Sequence, residues 1–156
     1  MKKQLLFLML SLFMISFSQV THTINAGSYY FEPSQITINQ GDIVQWINDG
    51  GLHDVNGDIN SIDNTSFNNP EVFSSAATST VDAIIYTHEF NIPGNYNYDC
   101  SVGSHALQGM VGSITVNPQS QTVVDIIVGS EDHNTLEAAV IAAELADDLS
   151  GDGPFT

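Results

Sequence analysis

The sequence predicts an all-β protein, an antiparallel sandwich or barrel, on three observations. Short runs of alternating apolar and polar residues recur between residues 21 and 116. Turn signals such as Gln40-Gly41-Asp42 and Pro93-Gly94 separate them. Helical spacing of apolar residues begins only after residue 134. Several short strands between turns at this density are the pattern of a sandwich or barrel.

The elements follow in order. Thr21–Ala26 alternates and is expected to be a strand, as is Gln35–Asn39, where Ile36 and Ile38 share a face. Ile43–Ile47 is the next strand and carries the single tryptophan, Trp46. Residues 54–80 are rich in Asn, Asp, Ser and Thr and contain Pro70. Such a long polar excursion is expected to be functional or mobile. Ala83–Asn91, Tyr96–Cys100 and Val111–Val116 complete the strands.

The two ends differ from this body. Lys2 and Lys3 precede the apolar run Leu5–Phe17, with small residues around Ser16-Phe17-Ser18, so residues 1–18 are expected to be a secretory signal peptide. The alternative is an uncleaved anchor, although the run is short of the roughly 20 apolar residues of a spanning helix. The main domain is expected over residues 19–118, and residues 119–122 form a polar linker. Residues 123–156 contain a strand-like run, Val123–Val128, and a helix-like stretch in which Asn134 and Glu137 have capping-box spacing. A strand-plus-helix fragment of about 35 residues cannot bury a core of its own. It is expected to be part of a second domain.

Lys2 and Lys3 are the only Lys or Arg in the chain, against 18 Asp and Glu. Once the signal is removed no fixed cation remains. Nucleic acid is excluded as a partner, because phosphate binding needs cationic side chains. A cationic protein partner steered by charge and simple solubility in a salty medium remain as readings of the acidic surface.

Cys100 is the single cysteine, so no internal disulfide forms. An unpaired cysteine in an exported protein is a structural thiol, an intermolecular bridge or a metal ligand. Its neighbours favour the last. Cys100, His105 and Met110 form a Cys-x4-His-x4-Met loop between two expected strands. Thiolate and thioether sulfur are soft ligands suited to Cu(I), and imidazole serves both oxidation states. Two His and one Cys with a weak axial Met make a blue (type 1) copper site, and His53, after the Trp46 strand, is the candidate for the second His. His22 and His88 lie in strand patterns and, with His133, are read as structural. A catalytic second copper would need about three further imidazoles brought together, so an electron carrier is favoured over an enzyme. Asp54–Asp63 superficially resembles a calcium loop, but it lacks the required Gly and flanking helices.

Residues 24–117 resemble the plastocyanin/azurin family. The likeness rests on Phe31-Glu32-Pro33, Ile36-Thr37-Ile38, Gly41-Asp42, Val44–Asn48, His53-Asp54-Val55, Pro93-Gly94-x-Tyr96-x-Tyr98-x-Cys100 and Gly109-Met110-Val111-Gly112. The Cys-to-His spacing is closer to auracyanin and rusticyanin than to plant plastocyanin. The resemblance implies a Greek-key β-sandwich holding one copper ion through His53, Cys100, His105 and Met110. It also implies single-electron transfer outside the cytoplasm, by a monomer, with the partner docking over the solvent-near edge of His105. Asp54 departs from the family, where many relatives have Asn, and leaves the side-chain tie between the ligand loops without its usual amide. Val123–Val128, His133–Val140 and Gly153–Thr156 resemble the opening of a fasciclin domain, which implies a cell-surface setting. Copper storage, delivery or sensing, and adhesion with a structural copper module, are the competing functions.

Overall fold

The computed structural model describes residues 19–119 and, beyond them, Ala139, Val140, Ala143 and Leu145. The expected signal peptide, the core of the expected second domain and His133 lie outside the described residues. Ala139 and Val140 are helical, and the Ala143 N–H donates to the Ala139 carbonyl at 3.0 Å. Among the described residues, no helix is long and apolar enough to cross a membrane.

Seven strands form two sheets. They are β1 (Thr21–Gly27), β2 (Tyr30–Glu32), β3 (Gln35–Asn39), β4 (Ile43–Asn48), β5 (Ile84–Glu89), β6 (Gly94–Asp99) and β7 (Val111–Asn117). One sheet has the order β2-β1-β4-β5 and the other β3-β7-β6. The fold is the all-β sandwich the sequence predicts, but the sheets are mixed rather than antiparallel. β1 pairs with β4 in parallel, Thr21 opposite Ile43, and β3 pairs with β7 in parallel, Gln35 opposite Ser113. The reason is topological. β2 and β3 intervene between β1 and β4, and a strand's own alternation does not encode which neighbour it meets or in which direction.

Period-2 patterning builds the core. In β4, Val44, Trp46 and Asn48 are fully buried while Ile43, Gln45 and Ile47 are only half-buried. Ile24 and Ala26 of β1 join them from the same sheet, and Ile38, Tyr96, Tyr98, Ile114 and Val116 cover them from the other. The segment 54–80 is not a free excursion. Its Phe73 enters the core, with its ring 6.0 Å from Trp46, 5.2 Å from His88 and 5.6 Å from Phe90. Backbone bridges tie it down at His53 to Thr78, Asn56 to Ser74 and Asn56 to Asp99.

At the opposite strand ends Asp42 holds the turn before β4. One carboxylate oxygen accepts the Val20 N–H at 3.0 Å, and the other accepts the Asn39 N–H and meets His22 Nε2, each at 3.0 Å. Burial works to raise the Asp42 pKa, but the Asn39 N–H, the His22 ring and the Val20 N–H together hold it below its ordinary value of 3.8. A carboxylate with a depressed folded pKa adds stability above its unfolded pKa and loses it as pH falls through the folded one. Asp42→Ala is therefore expected to lower the unfolding free energy at pH 7 by about 1–3 kcal/mol, from the unmet backbone donors. The difference from wild type should shrink as pH falls below 3.8, as measured by chemical denaturation across pH.

Candidate metal centre

The site lies where β4 and β6, one from each sheet, run out at the same end of the sandwich. β6 stops at Asp99, one residue earlier than expected, because the Cys100 N–H leaves the ladder and donates to the Met110 carbonyl at 3.1 Å. Between those residues the chain wraps into a tight loop. The His105 N–H donates to Val102 O at 3.1 Å, and one turn of 3-10 helix follows at Ala106–Gln108. Gly109 closes that turn at φ 101°, a left-handed conformation that glycine adopts without a Cβ penalty. The Met110 N–H then returns to the His105 carbonyl at 3.0 Å. The Cys-x4-His-x4-Met spacing is thus a loop pinned at both ends by its own backbone.

The opposite wall begins at Asn48, the inward residue at the end of β4. Its amide nitrogen donates toward the carbonyls of Gly51, Thr78 and Thr80 at 3.0–3.2 Å, and its oxygen accepts the Gly50 N–H at 3.0 Å. A buried side chain with this many backbone partners fixes the turn at 49–51. His53 and Thr78 then exchange two backbone hydrogen bonds, of 3.1 and 2.9 Å. Gly51 sits at φ 101°, and a Cβ there would come within 2.7 Å of the His53 ring. His53 Nε2 lies 3.0 Å from Gly50 O. A carbonyl only accepts, so Nε2 carries the proton and Nδ1 is free to act as a ligand.

His53 Nδ1 lies 3.9 Å from Cys100 Sγ, and His105 Nδ1 lies 3.3 Å from it. One ligand atom from each of the three residues falls within 4.8 Å of the others, and this is the group of metal-capable His, Cys, Asp or Glu side chains found among the described residues. His53 and Cys100 are buried and His105 is half-buried. The ring of Tyr29 packs edge-on against His105 at 5.1 Å. Met110 is fully buried in the cluster that contains Cys100.

Burial lowers the His53 pKa, as does the neighbouring His105, against the opposing effect of the Gly50 carbonyl. Burial pushes the Cys100 thiol up to about 11. Both shifts describe a pocket that disfavours charge until a cation enters, and a coordinating metal reverses this logic by deprotonating the thiol outright. A buried thiol converging with two imidazoles, with a thioether-bearing residue closing the same loop, fits copper in its donor chemistry.

The tie between the ligand loops is kept at Asp54 without the usual amide. The Asp54 carboxylate accepts the Ser101 N–H at 2.7 Å and also bonds the Ser101 hydroxyl. It makes the link between the two ligand loops itself. The same contacts turn Asp54 away from any calcium loop, and Asp63 is likewise engaged by Thr65. His22 meets the Asp42 carboxylate, and the His88 ring stacks on Phe73. Beside His105, Ala106 is buried and Leu107 is 68% exposed. Sequence reading missed Asn48, Tyr29 and Ser101. Asn48 was detectable as a polar residue in register with Val44 and Trp46, while Tyr29 and Ser101 carry no local signal.

A family model described as copper binding proteins of the plastocyanin/azurin family matches residues 18–117. Plastocyanin of Scenedesmus fuscus is 32% identical over 93 residues, covering 59% of this chain and 91% of that protein. Chloroplastic plastocyanin of Tetradesmus obliquus is 31% identical over 93 residues, covering 59% of this chain and 61% of that protein. Among solved structures, an oxidised amicyanin variant aligns at TM-score 0.46 and 16% identity, over 67% of this chain and 87% of that one. A copper-containing nitrite reductase from Thermus scotoductus aligns at TM-score 0.47 and 24% identity, over 66% of this chain and 23% of that one. The matched family span runs through all seven strands and both ligand loops, and the chain belongs to the plastocyanin/azurin family of copper-binding proteins.

Proposed function

We propose that this protein is a blue-copper electron carrier, exported from the cytoplasm, with His53, Cys100 and His105 as equatorial ligands and Met110 as the weak axial one. The observation that carries the reading is the convergence of the His53, Cys100 and His105 ligand atoms within 4.8 Å. Bound copper supplies a one-electron couple. The protein's part is to keep the ligands still as the charge changes. The Gly50 carbonyl holds the His53 ring, the Asn48 fan holds its turn, and the loop from Cys100 to Met110 is tied by its own backbone. Export is supported by the Lys2-Lys3 and Leu5–Phe17 pattern. The spacing of the ligand loop supports an auracyanin- or rusticyanin-like subgroup, and residues 123–156 we read as the start of a fasciclin-type module at the cell surface.

The exit for the electron is the exposed edge of His105, with docking over the uncharged surface around it. Leu107 offers exposed apolar area there, and the neighbouring Gly103 and Ser104 carry no charge. A partner desolvates such a face at little cost, while the carboxylates elsewhere orient a cationic protein at a distance.

Adding Cu(II) to the purified protein is expected to give intense blue or green absorption from charge transfer at the Cys100 thiolate, and Cys100→Ser should be colourless. A fully loaded but colourless wild type would overturn the assignment. Met110→Gln should retain copper and lower the midpoint potential, because a harder donor favours Cu(II), whereas Met110→Leu should raise it. Voltammetry checks both, and unchanged potentials would remove Met110 from the ligand set. Leu107→Asp is expected to slow electron transfer to a cationic redox protein without altering the spectrum, as followed by stopped flow. Wild-type rates in that variant would exclude this face as the docking site.

A further inference from the structure

The described fold begins at Gln19, and its first contacts limit where a processed chain can start. The Val20 N–H donates to Asp42 Oδ1 at 3.0 Å, and the Val20 carbonyl accepts the Ile43 N–H at 2.9 Å. Asp42 is buried, so a start later than Val20 would strip a donor from a buried carboxylate and a partner from β4. Gln19 also belongs to these contacts, since its side-chain Nε2 donates to the Gly41 carbonyl at 2.8 Å. From the other direction, Ser16 and Ser18 put small residues at the positions that a signal peptidase reads before the Ser18–Gln19 bond. The two limits meet at Gln19.

A glutamine at a free N-terminus carries its own electrophile. The α-amine has an ordinary pKa of about 7.7–8.0, so a fraction of it is neutral and nucleophilic near pH 7. The side-chain amide carbonyl lies within its reach. Gln19 is exposed, which leaves both groups open to each other and to a cyclising enzyme.

We propose that export leaves Gln19 as the first residue and that it then closes to pyroglutamate, so that the mature protein carries no primary amine. The inference rests on the export reading above. Hydrolysis of the Ser18–Gln19 peptide bond frees the α-amine. Its nitrogen attacks the carbonyl carbon of the Gln19 side chain, and a C–N bond forms. The bond from that carbon to Nε2 breaks, and Nε2 leaves as ammonia with the proton shed by the attacking amine. No oxidant, reductant or cofactor takes part. The bond from Nε2 to the Gly41 carbonyl goes with it, whereas both backbone bonds of Val20 remain to hold the start of β1.

Composition gives the ring its consequence. Lys2 and Lys3 are the only Lys or Arg in the chain, so the α-amine of Gln19 is the single primary amine of residues 19–156. Closing the ring removes that terminal charge, as acetylation would. Aminopeptidases outside the cell then find no free terminus, and aldehydes and acylating agents find no amine to attack. Positive charge on the protein itself is left to its histidines.

The test secretes the full chain with its own residues 1–18 and incubates the product near neutral pH with a glutaminyl cyclase. Intact mass, N-terminal sequencing and labelling by an amine-reactive dye are compared with Gln19→Ala, which cannot close the ring. Wild type should begin at residue 19, be lighter than the linear chain by the mass of one ammonia, resist stepwise sequencing and lose its dye-reactive amine. Gln19→Ala should keep that amine, and both proteins should show the same charge-transfer band on adding Cu(II). A wild-type chain that begins at Gln19 and still takes up dye overturns the proposal, as does one that begins at another residue. A chain that keeps Met1, and so takes up dye at Lys2 and Lys3 as well, overturns the export reading with it. The copper reading stands in each case where the band appears.

Discussion

The hydrogen bonds from Ser101 to Asp54 join two loops that have no covalent reason to meet, and the metal centre depends on them. One loop leaves β4 of the first sheet and carries His53. The other leaves β6 of the second sheet and carries Cys100 and His105. Next to this link, Asn56 and Asp99 exchange two backbone bonds of 2.9 Å, so the walls are stitched by main chain and side chain together. Hydrogen bonds to a charged group are each worth about 1.5–3 kcal/mol, and cutting one here would also strand a buried carboxylate. Ligand spacing in the absence of metal follows from this stitching.

Much of this was legible in the sequence because it follows from short-range pattern. Val44 and Trp46 alternate with half-buried residues, so β4 could be read as far as Ile47, one residue short of its end at Asn48, and β3 to the residue. The Cys100 to Met110 loop was legible because its donors lie close together and between strands. Other features required partners distant in sequence. The parallel pairing of β1 with β4 depends on where β2 and β3 cross, and β2 is only three residues long. Phe73 looked like one apolar residue in a polar stretch, yet its ring stacks with those of Trp46 and His88 from the other side of the core. Asp54 was read as a departure because its usual amide was missing. The carboxylate accepts the same N–H, and the serine hydroxyl supplies the second donor.

The distribution of charge around the site divides the labour of an electron carrier. At the exposed edge of His105 the surface is small, apolar or aromatic, with Tyr29 and Leu107 both open to solvent. Such a surface allows close approach. The chain as a whole carries 18 Asp and Glu against two lysines. In the electron-transfer role proposed above, a cationic partner would be oriented by long-range attraction and would meet an uncharged contact zone at Leu107.

The spacing of the ligand loop also bears on how metal and folding are linked. Cys100, His105 and Met110 fall within an 11-residue stretch, counted from 100 to 110, whereas His53 lies 47 residues before Cys100. An unfolded chain therefore already carries three soft or borderline donors close enough to share an ion. Any affinity of the denatured ensemble for a ligand subtracts from the stabilisation that ligand gives the native state. What the native fold adds is His53, burial and geometry. The gain in melting temperature on loading should accordingly be smaller than the native affinity alone would imply, and copper that reaches the chain early could be held before the sandwich has closed.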